Sequence, residues 1–266
     1  MKELTLQEYK VAQLQILHEV HNFCEANDIK YSLAYGTLIG AVRHKGYIPW
    51  DDDIDICMLR KDYNKFISLF NENSGAFRVR ALETDKTYTH TYAKVELVNT
   101  RVIDLCNSQM EIGVNIDVFP IDYICDDSHK RHAYYNKLKR KQQIYLIKSI
   151  KIAPSRNFFK NLILMLGQII LGGVSLRRLA ENIDQYIEKD LISSTLCELG
   201  QCTYGLKSCF SIECMASYRK MPFEDGVFNV MEGYHEYLSN IYGKYMELPP
   251  IDKRVTHHSA RAYKIN

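Results

Sequence analysis

A chain of 266 residues with 46% hydrophobic and 25% charged residues has the make-up of an ordinary soluble globular protein, long enough for one large domain or a core with an extension. Its eight cysteines sit in a chain whose first residues run straight into a helical pattern, without the apolar stretch of a secretory signal. That excludes a disulfide framework as the organising principle and makes cytoplasmic residence the expectation.

Thr5 and Glu8 form a capping-box pattern ahead of Val11, Leu14, Leu17 and Val20 at helical spacing, which predicts a helix over 6–26. Residues 29–35 alternate as a strand ending at Gly36, and 38–44 predict a short helix stopped by Gly46. Residues 47–50 form a loop, because Pro49 lacks a donor and biases Ile48 to extended geometry. Over 53–58 the alternation returns, with Asp53, Asp55 and Cys57 on one strand face and Ile54, Ile56 and Met58 on the other. A helix over 61–71 precedes strands at 77–82, 92–98, 101–105 and 113–119. The last of these places Asn115 and Asp117 opposite Val114, Ile116 and Val118.

Beyond Asp126 the composition changes. The net charge of +2 conceals a segregation: residues 128–180 hold twelve Lys and Arg and no Asp or Glu. Elsewhere 22 basic residues face 32 acidic ones, so one block is built to meet something anionic. A basic helix runs to Ala153, and Pro154-Ser155 marks a break. The thirteen residues 162–174 are strongly apolar but too few for the roughly 20 that a bilayer requires, and are read as a buried core helix. An interfacial segment resting on lipid is the alternative. A helix over 181–191, an irregular stretch over 197–221, a turn at 222–226, a strand at 227–230 and a helix at 234–245 complete the chain. Cys197, Cys202, Cys209 and Cys214 lie at the edge of zinc-ligand spacing and are read as free thiols.

Asp51-Asp52-Asp53-Ile54-Asp55 sets four carboxylates in five positions. They repel one another and suit a strand poorly, so the cluster implies a hard divalent cation held by oxygen ligands: Mg²⁺, with Mn²⁺ as the alternative. Asp53 and Asp55, about 7 Å apart along one strand face, can grip one ion or bracket two. Asp117 from a neighbouring strand is the candidate third carboxylate. Asp51 and Asp52, where loop meets strand, are read as solvated or as orienting the loop. Upstream, Gly36 permits close backbone approach and Thr37 begins a helix whose N–H groups suit an anion. Arg43 can hold a phosphate bidentately, with His44 and Lys45 adding charge. The pattern outlines a phosphate-transfer site.

The string Tyr35-Gly36-Thr37-Leu38-Ile39-Gly40-Ala41-Val42-Arg43-His44-Lys45-Gly46, continued by Ile48-Pro49-Trp50-Asp51-Asp52-Asp53-Ile54-Asp55, resembles the LicD family. These are bacterial phosphocholine transferases related to fukutin-type ribitol-phosphate transferases. The similarity continues through 113–122, 222–224 and 242–250, with Lys253, Arg254 and His258 after. The resemblance implies an α/β (α+β) fold: a nucleotidyltransferase-like mixed sheet core flanked by helices over 1–126. A helical, basic substrate-binding extension over 127–266 would pack on it. It further implies transfer of a phosphorylated alcohol, phosphocholine first, from CDP-choline or another CDP-alcohol to a saccharide hydroxyl, releasing CMP. The acceptor would belong to teichoic acid, lipopolysaccharide or capsule, or to a lipid-linked precursor. Peripheral contact with the inner membrane face would follow from a lipid-linked acceptor.

By the same resemblance, Asp53 and Asp55 hold Mg²⁺ across the pyrophosphate, and Asp117 is a third ligand or the base for the acceptor hydroxyl. Gly36, Thr37, Arg43, His44, Lys45 and Trp50 bind substrate, and Arg254 and His258 converge on phosphate, with His257 competing for the last role. A choline donor calls for an aromatic enclosure of its quaternary ammonium, for which Tyr31, Tyr35, Tyr47 and Trp50 are the nearby residues. Nucleotidyl transfer with loss of pyrophosphate would use the same acids and differs in its product. An inert polysaccharide-binding module would have little use for them. Nucleic-acid binding through the basic block lacks interleaved aromatics or a known module.

Overall fold

In the computed structural model, residues 1–72, 75–104, 111–152, 157–187, 189, 191–255 and 260–265 are described. Strand β1 (Lys2–Glu3) leads into helix α1 (Leu6–Ala26) through the expected capping box. Thr5 Oγ1 accepts from the Glu8 amide at 3.2 Å, and the Glu8 carboxylate accepts from the Thr5 amide at 2.8 Å. Ile16, Leu17 and Val20 form its fully buried stripe. Strand β2 (Ser32–Leu33) is shorter than the alternation predicts, and helix α2 (Tyr35–Ile39) follows. It continues as a π-helical turn over Gly40–His44. The residue that ends this turn in the left-handed region is Lys45, with φ of 60°, and not Gly46. Gly46 is small for another reason: a Cβ there would collide with the Glu224 carboxylate.

Strand β3 (Asp55–Leu59), helix α3 (Arg60–Leu69) and strands β4 (Phe77–Arg80), β5 (Ala93–Leu97), β6 (Thr100–Asp104) and β7 (Asn115–Ile124) complete the sheet-forming region. The main sheet runs β2-β3-β7-β5-β4, with β3 and β7 parallel and the other pairs antiparallel. Helices α1 and α3 pack on it, as the mixed α/β class requires. Arg60, opening α3, forks onto Asp122 of β7, with Nε and one terminal nitrogen each 2.7 Å from a carboxylate oxygen in a buried pair.

Past β7 come helices α4 (Ser128–Ser149), α5 (Phe158–Ile170) and α6 (Leu176–Asp184). Two expectations are corrected here. The apolar segment is helical but not part of the core, since none of its described residues is buried. The helix expected over 181–191 begins at Leu176, because Ser175 Oγ caps it by accepting from the Arg178 amide at 3.2 Å. Beyond Asp184 the chain turns mainly to strands. Strand β8 (Thr195–Cys197) pairs with the far half of β7, and β9 (Phe210–Ser211) pairs with β8. Strands β10 (Tyr218–Phe223) and β11 (Gly226–Met231) form a hairpin. Helix α7 (Tyr234–Tyr242) follows, and β12 (Ala260–Lys264) pairs with both β6 and β1.

One core joins α1, the main sheet, the β10–β11 hairpin and α7; a smaller one holds Ile124, Leu138, Ile183, Cys197 and Leu199 under α4 and α6. Cys197 and Cys209 have their sulfurs 3.1 Å apart, whereas Cys214 lies against Gly233. Among the described residues the cysteines are free thiols. None of the described helices is long and apolar enough to cross a membrane.

Candidate active site

The site follows from strand register. Parallel pairing of β3 with β7 sets Asp55 opposite Asp117, at the beginning of β3 and near that of β7. On the other side of β7, antiparallel β5 sets Lys94 opposite Asp117. Paired residues share a sheet face, so Asp55, Asp117 and Lys94 form one row across three strands. Asp53 lies at the entrance to β3 rather than inside it. Its neighbour Ile54 is fully buried, and the Ile54 carbonyl accepts from the Asp117 amide at 2.9 Å, so the extended alignment persists one residue beyond the strand.

The row faces a cleft of about 1900 Å³ lined by Asp51, Asp52, Asp53, Asp55, Asp117 and Lys94, with Tyr9, Tyr35, Trp50, Tyr92, Tyr204 and Tyr242 among its aromatic walls. Burial raises the Asp55 pKa well above the usual carboxylate range, and the charges of Asp53, Asp117 and Asp51 push it further; Lys94 opposes them. Burial also raises the Tyr9 phenol, with Asp52, Asp117 and Asp53 adding to the effect. Lys94 Nζ is ion-paired to Asp117 and donates to Asn115 Oδ1 at 3.0 Å.

Gly36 and Thr37 act on the acids themselves. A Cβ at Gly36 would stand 2.5 Å from Asp51 Oδ2, so only glycine lets that carboxylate lie against the start of α2. Thr37 Oγ1 accepts from the Asp55 amide at 2.8 Å and pins the head of β3. Between strand and helix, Tyr35 holds a φ of 45°, a conformation unusual for a bulky residue. Its ring is wedged against Phe119, Tyr204 and Tyr237, which supports the strain.

The basic triplet is placed differently from the expectation. Arg43 does not present a free bidentate fork. Its Nε donates to His44 Nε2 at 2.9 Å, and one terminal nitrogen donates to the Tyr245 and Glu247 carbonyls at 2.6 and 3.2 Å. Lys45 is exposed, and its carbonyl accepts from the Glu224 amide at 2.9 Å. The Arg254 guanidinium lies 5.5 Å from the centre of the Trp50 ring, and the His44 ring meets Trp50 edge-on at 6.5 Å. Burial, and then the nearby Arg254, lower the Arg43 pKa. Arg43, His44, Trp50 and Arg254 therefore gather at one place beside the cleft. His257 and His258 lie outside the described residues.

The aromatic enclosure is also corrected. Tyr31 is fully buried with its hydroxyl 2.9 Å from His21 Nδ1, and Tyr47 packs on Phe223 while donating to Gln13 Oε1 at 3.0 Å. Tyr35 and Trp50 do line the cleft, joined by Tyr92, Tyr204 and Tyr242. The stacked Tyr35–Tyr204 pair and the 2.8 Å hydrogen bond from Tyr242 to Tyr204 hold that wall together. Lys94, Tyr92, Tyr204 and Tyr242 escaped the sequence reading. For Lys94, the only local signal is its polar position in an alternating strand.

Among the described residues, no three Asp, Glu, His or Cys side chains are gathered about a common point. Mg²⁺ does not require three, since it takes one or two carboxylates and fills its shell with waters and substrate phosphate. Asp53 and Asp55 offer hard oxygen donors, and Asp53, Asp117 and Asp51 surround Asp55 with negative charge that a cation would offset. The donor set fits such an ion.

Comparison with known proteins matches this architecture. Residues 28–158 match the family described as LicD/FKTN/FKRP, nucleotidyltransferase domain. Across 270 aligned residues the chain is 34% identical to lipopolysaccharide cholinephosphotransferase LicD of Haemophilus influenzae, with 99% of each chain covered. The chain belongs to the LicD family. It is accordingly a LicD-like phosphotransferase, and the LicD-matched segment contains Asp53, Asp55, Lys94 and Asp117. Shorter similarities join it to two uncharacterised rickettsial proteins. One, from Rickettsia typhi, is 43% identical over 63 residues, 23% of this chain and 20% of that one. The other, from Rickettsia prowazekii, is 48% identical over 48 residues, 18% of each.

Proposed function

We propose that this LicD-family enzyme transfers phosphocholine from CDP-choline, or the corresponding group from another CDP-alcohol, to a sugar hydroxyl of a cell-surface glycan or its lipid-linked precursor. What carries the assignment is the Asp55–Asp117–Lys94 row beside Asp53 on a large cleft. End-to-end similarity to a lipopolysaccharide cholinephosphotransferase supports the choice of group and acceptor.

In this proposal Asp53 and Asp55 hold Mg²⁺, or Mn²⁺ in its place, where the donor pyrophosphate enters. The ion would supply Lewis-acid stabilisation of charge on the phosphoryl and leaving oxygens. Gly36 and Thr37 keep Asp51 and Asp55 in place through the contacts above. Asp117, ion-paired to Lys94 and not gathered with Asp53 and Asp55 about a common point, accepts the acceptor's hydroxyl proton. The acceptor oxygen then bonds to the choline-bearing phosphorus, the bond from that phosphorus to the bridging oxygen breaks, and CMP leaves with the electron pair. Lys94, paired with Asp117 before substrate enters, shifts to a donor phosphate oxygen and so releases the carboxylate. Tyr204 and Tyr242 on the cleft wall are the rings for a quaternary ammonium, since Trp50 already carries the Arg254 guanidinium and Tyr92 faces Lys94.

The test is product analysis. The chain is incubated with CDP-choline, CDP-ribitol or CDP-glycerol and an acceptor glycan, with Mg²⁺ or with EDTA. CMP release from CDP-choline in the Mg²⁺ arm is the expected result. Pyrophosphate release from CTP, with no CMP from any donor, would instead favour nucleotidyl transfer.

A further inference from the structure

Helix α5 sets Gly167 and Gln168 against α4 and leaves most of its large apolar side chains outward. Its inner side lies on α4 so closely that a Cβ on Gly167 would stand 2.6 Å from Ile147 Cγ2. Gln168 Nε2 donates to the Ile147 and Ile150 carbonyls at 3.0 and 2.8 Å, and Lys148 Nζ donates to the Leu171 carbonyl at 3.1 Å. These bonds fix the helix as a rigid element of the surface. Facing out are Phe158, Phe159, Ile163, Leu166, Ile169 and Ile170, between 51% and 82% exposed. Positions 159, 163, 166 and 170 fall on one helical stripe. Isolated exposed apolar residues are commonplace, but a contiguous face of this size marks a surface that is covered in use.

The electrostatics around the helix select what covers it. The segment 128–180 contains no Asp or Glu and twelve basic residues, and Lys151, Lys160 and Arg178 of this segment are exposed. An apolar face on a segment that carries exposed cations and no carboxylate is complementary to a bilayer with anionic headgroups, where the cations meet the phosphates and the stripe enters the acyl boundary. At thirteen residues, α5 is about 20 Å long, too short to cross a hydrocarbon layer of about 30 Å. It suits lying in the interface plane. Continuity with the cleft adds a second argument. Leu146 and Ser149 of α4, with its capping residue Ile150, line the same cleft as Asp53, Asp55 and Asp117, while α5 packs against that end of α4.

We propose that the outward face of α5 docks on an anionic lipid bilayer. Docking needs neither donor nor acceptor, so it stands or falls separately from the transfer reaction. The test is co-sedimentation of the full chain with vesicles of phosphatidylcholine alone or mixed with phosphatidylglycerol. Phe159→Asp combined with Ile163→Asp serves as the variant. Both side chains are already exposed, and an unchanged near-UV circular dichroism spectrum verifies the fold. The expected result is binding to the phosphatidylglycerol vesicles that weakens roughly tenfold in the double variant and falls in high salt. Absence of binding, equal binding to neutral vesicles, or equal binding by the variant would overturn the proposal. So would a dimer, seen by light scattering, that the double variant dissociates while the parent ignores vesicles; α5 would then be covered by a second copy.

Discussion

At the scale of single residues, Asp55 bears the tension of the site. Its folded pKa lies above its unfolded value because burial and the charges of Asp53, Asp117 and Asp51 disfavour the anion. The folded state therefore holds a proton that the unfolded state has released. Metal-free stability falls as pH rises above the unfolded value of about 4, until the folded pKa is passed. Asp55→Asn removes this slope, so in EDTA it should melt higher than the parent at neutral pH. Mg²⁺ should raise the melting temperature of the parent and leave that of the variant nearly unmoved. Thermal melts across about pH 4 to 8 check both expectations; a variant melting below the parent throughout would contradict them.

Gly36 supplies a second residue-scale prediction. Alanine at a helical position is ordinarily stabilising by about 0.5–1 kcal/mol, yet here its Cβ would displace the Asp51 carboxylate. Gly36→Ala should keep or gain thermal stability while losing activity by roughly 10- to 100-fold. Parallel melts and rate measurements test that separation. The sequence reveals Asp53 and Asp55 because a period of two sets their common face whatever strand lies beside them. Lys94 stays hidden because its meeting with Asp117 depends on a register between strands more than twenty residues apart.

At the scale of elements, the site is held by clamps between distant segments. Glu224, in the turn between β10 and β11, accepts from the Tyr47 amide at 2.8 Å and donates its own amide to the Lys45 carbonyl, fixing the loop before the acids. The fork from Arg60 to Asp122 ties α3 to β7 in the interior. Asp122→Ala would leave a buried guanidinium without its main partner and should destabilise the fold by about 3–5 kcal/mol, measured by denaturant unfolding. Local chemistry makes α1 legible, since its cap and apolar stripe are both within one helix. It does not reveal the π-turn after α2, which ends on Lys45 in the left-handed region with its carbonyl held by the distant Glu224 amide. Nor does apolarity distinguish a helix buried in the core from α5, whose large side chains face outward.

At the scale of the whole molecule, the cleft is built from both ends of the sequence. Asp53, Asp55, Lys94 and Asp117 come from the sheet, while Tyr204, Tyr242 and Val255 come from the segment after the three middle helices. The mixed α/β class is legible from alternating and helical periods, and the acids from their density. The far wall is not, because short strands and turns after Asp184 carry little periodicity and their partners are remote. The most direct measurement is single-turnover CMP release from CDP-choline with Mg²⁺ and acceptor, comparing the folded parent with Asp53→Asn, Asp55→Asn and Asp117→Asn. The account predicts losses of about a thousandfold or more for Asp53→Asn and Asp55→Asn, equivalent to about 4 kcal/mol of transition-state stabilisation, and a large loss for Asp117→Asn. Parent-like rates in Asp53→Asn or Asp55→Asn would contradict it.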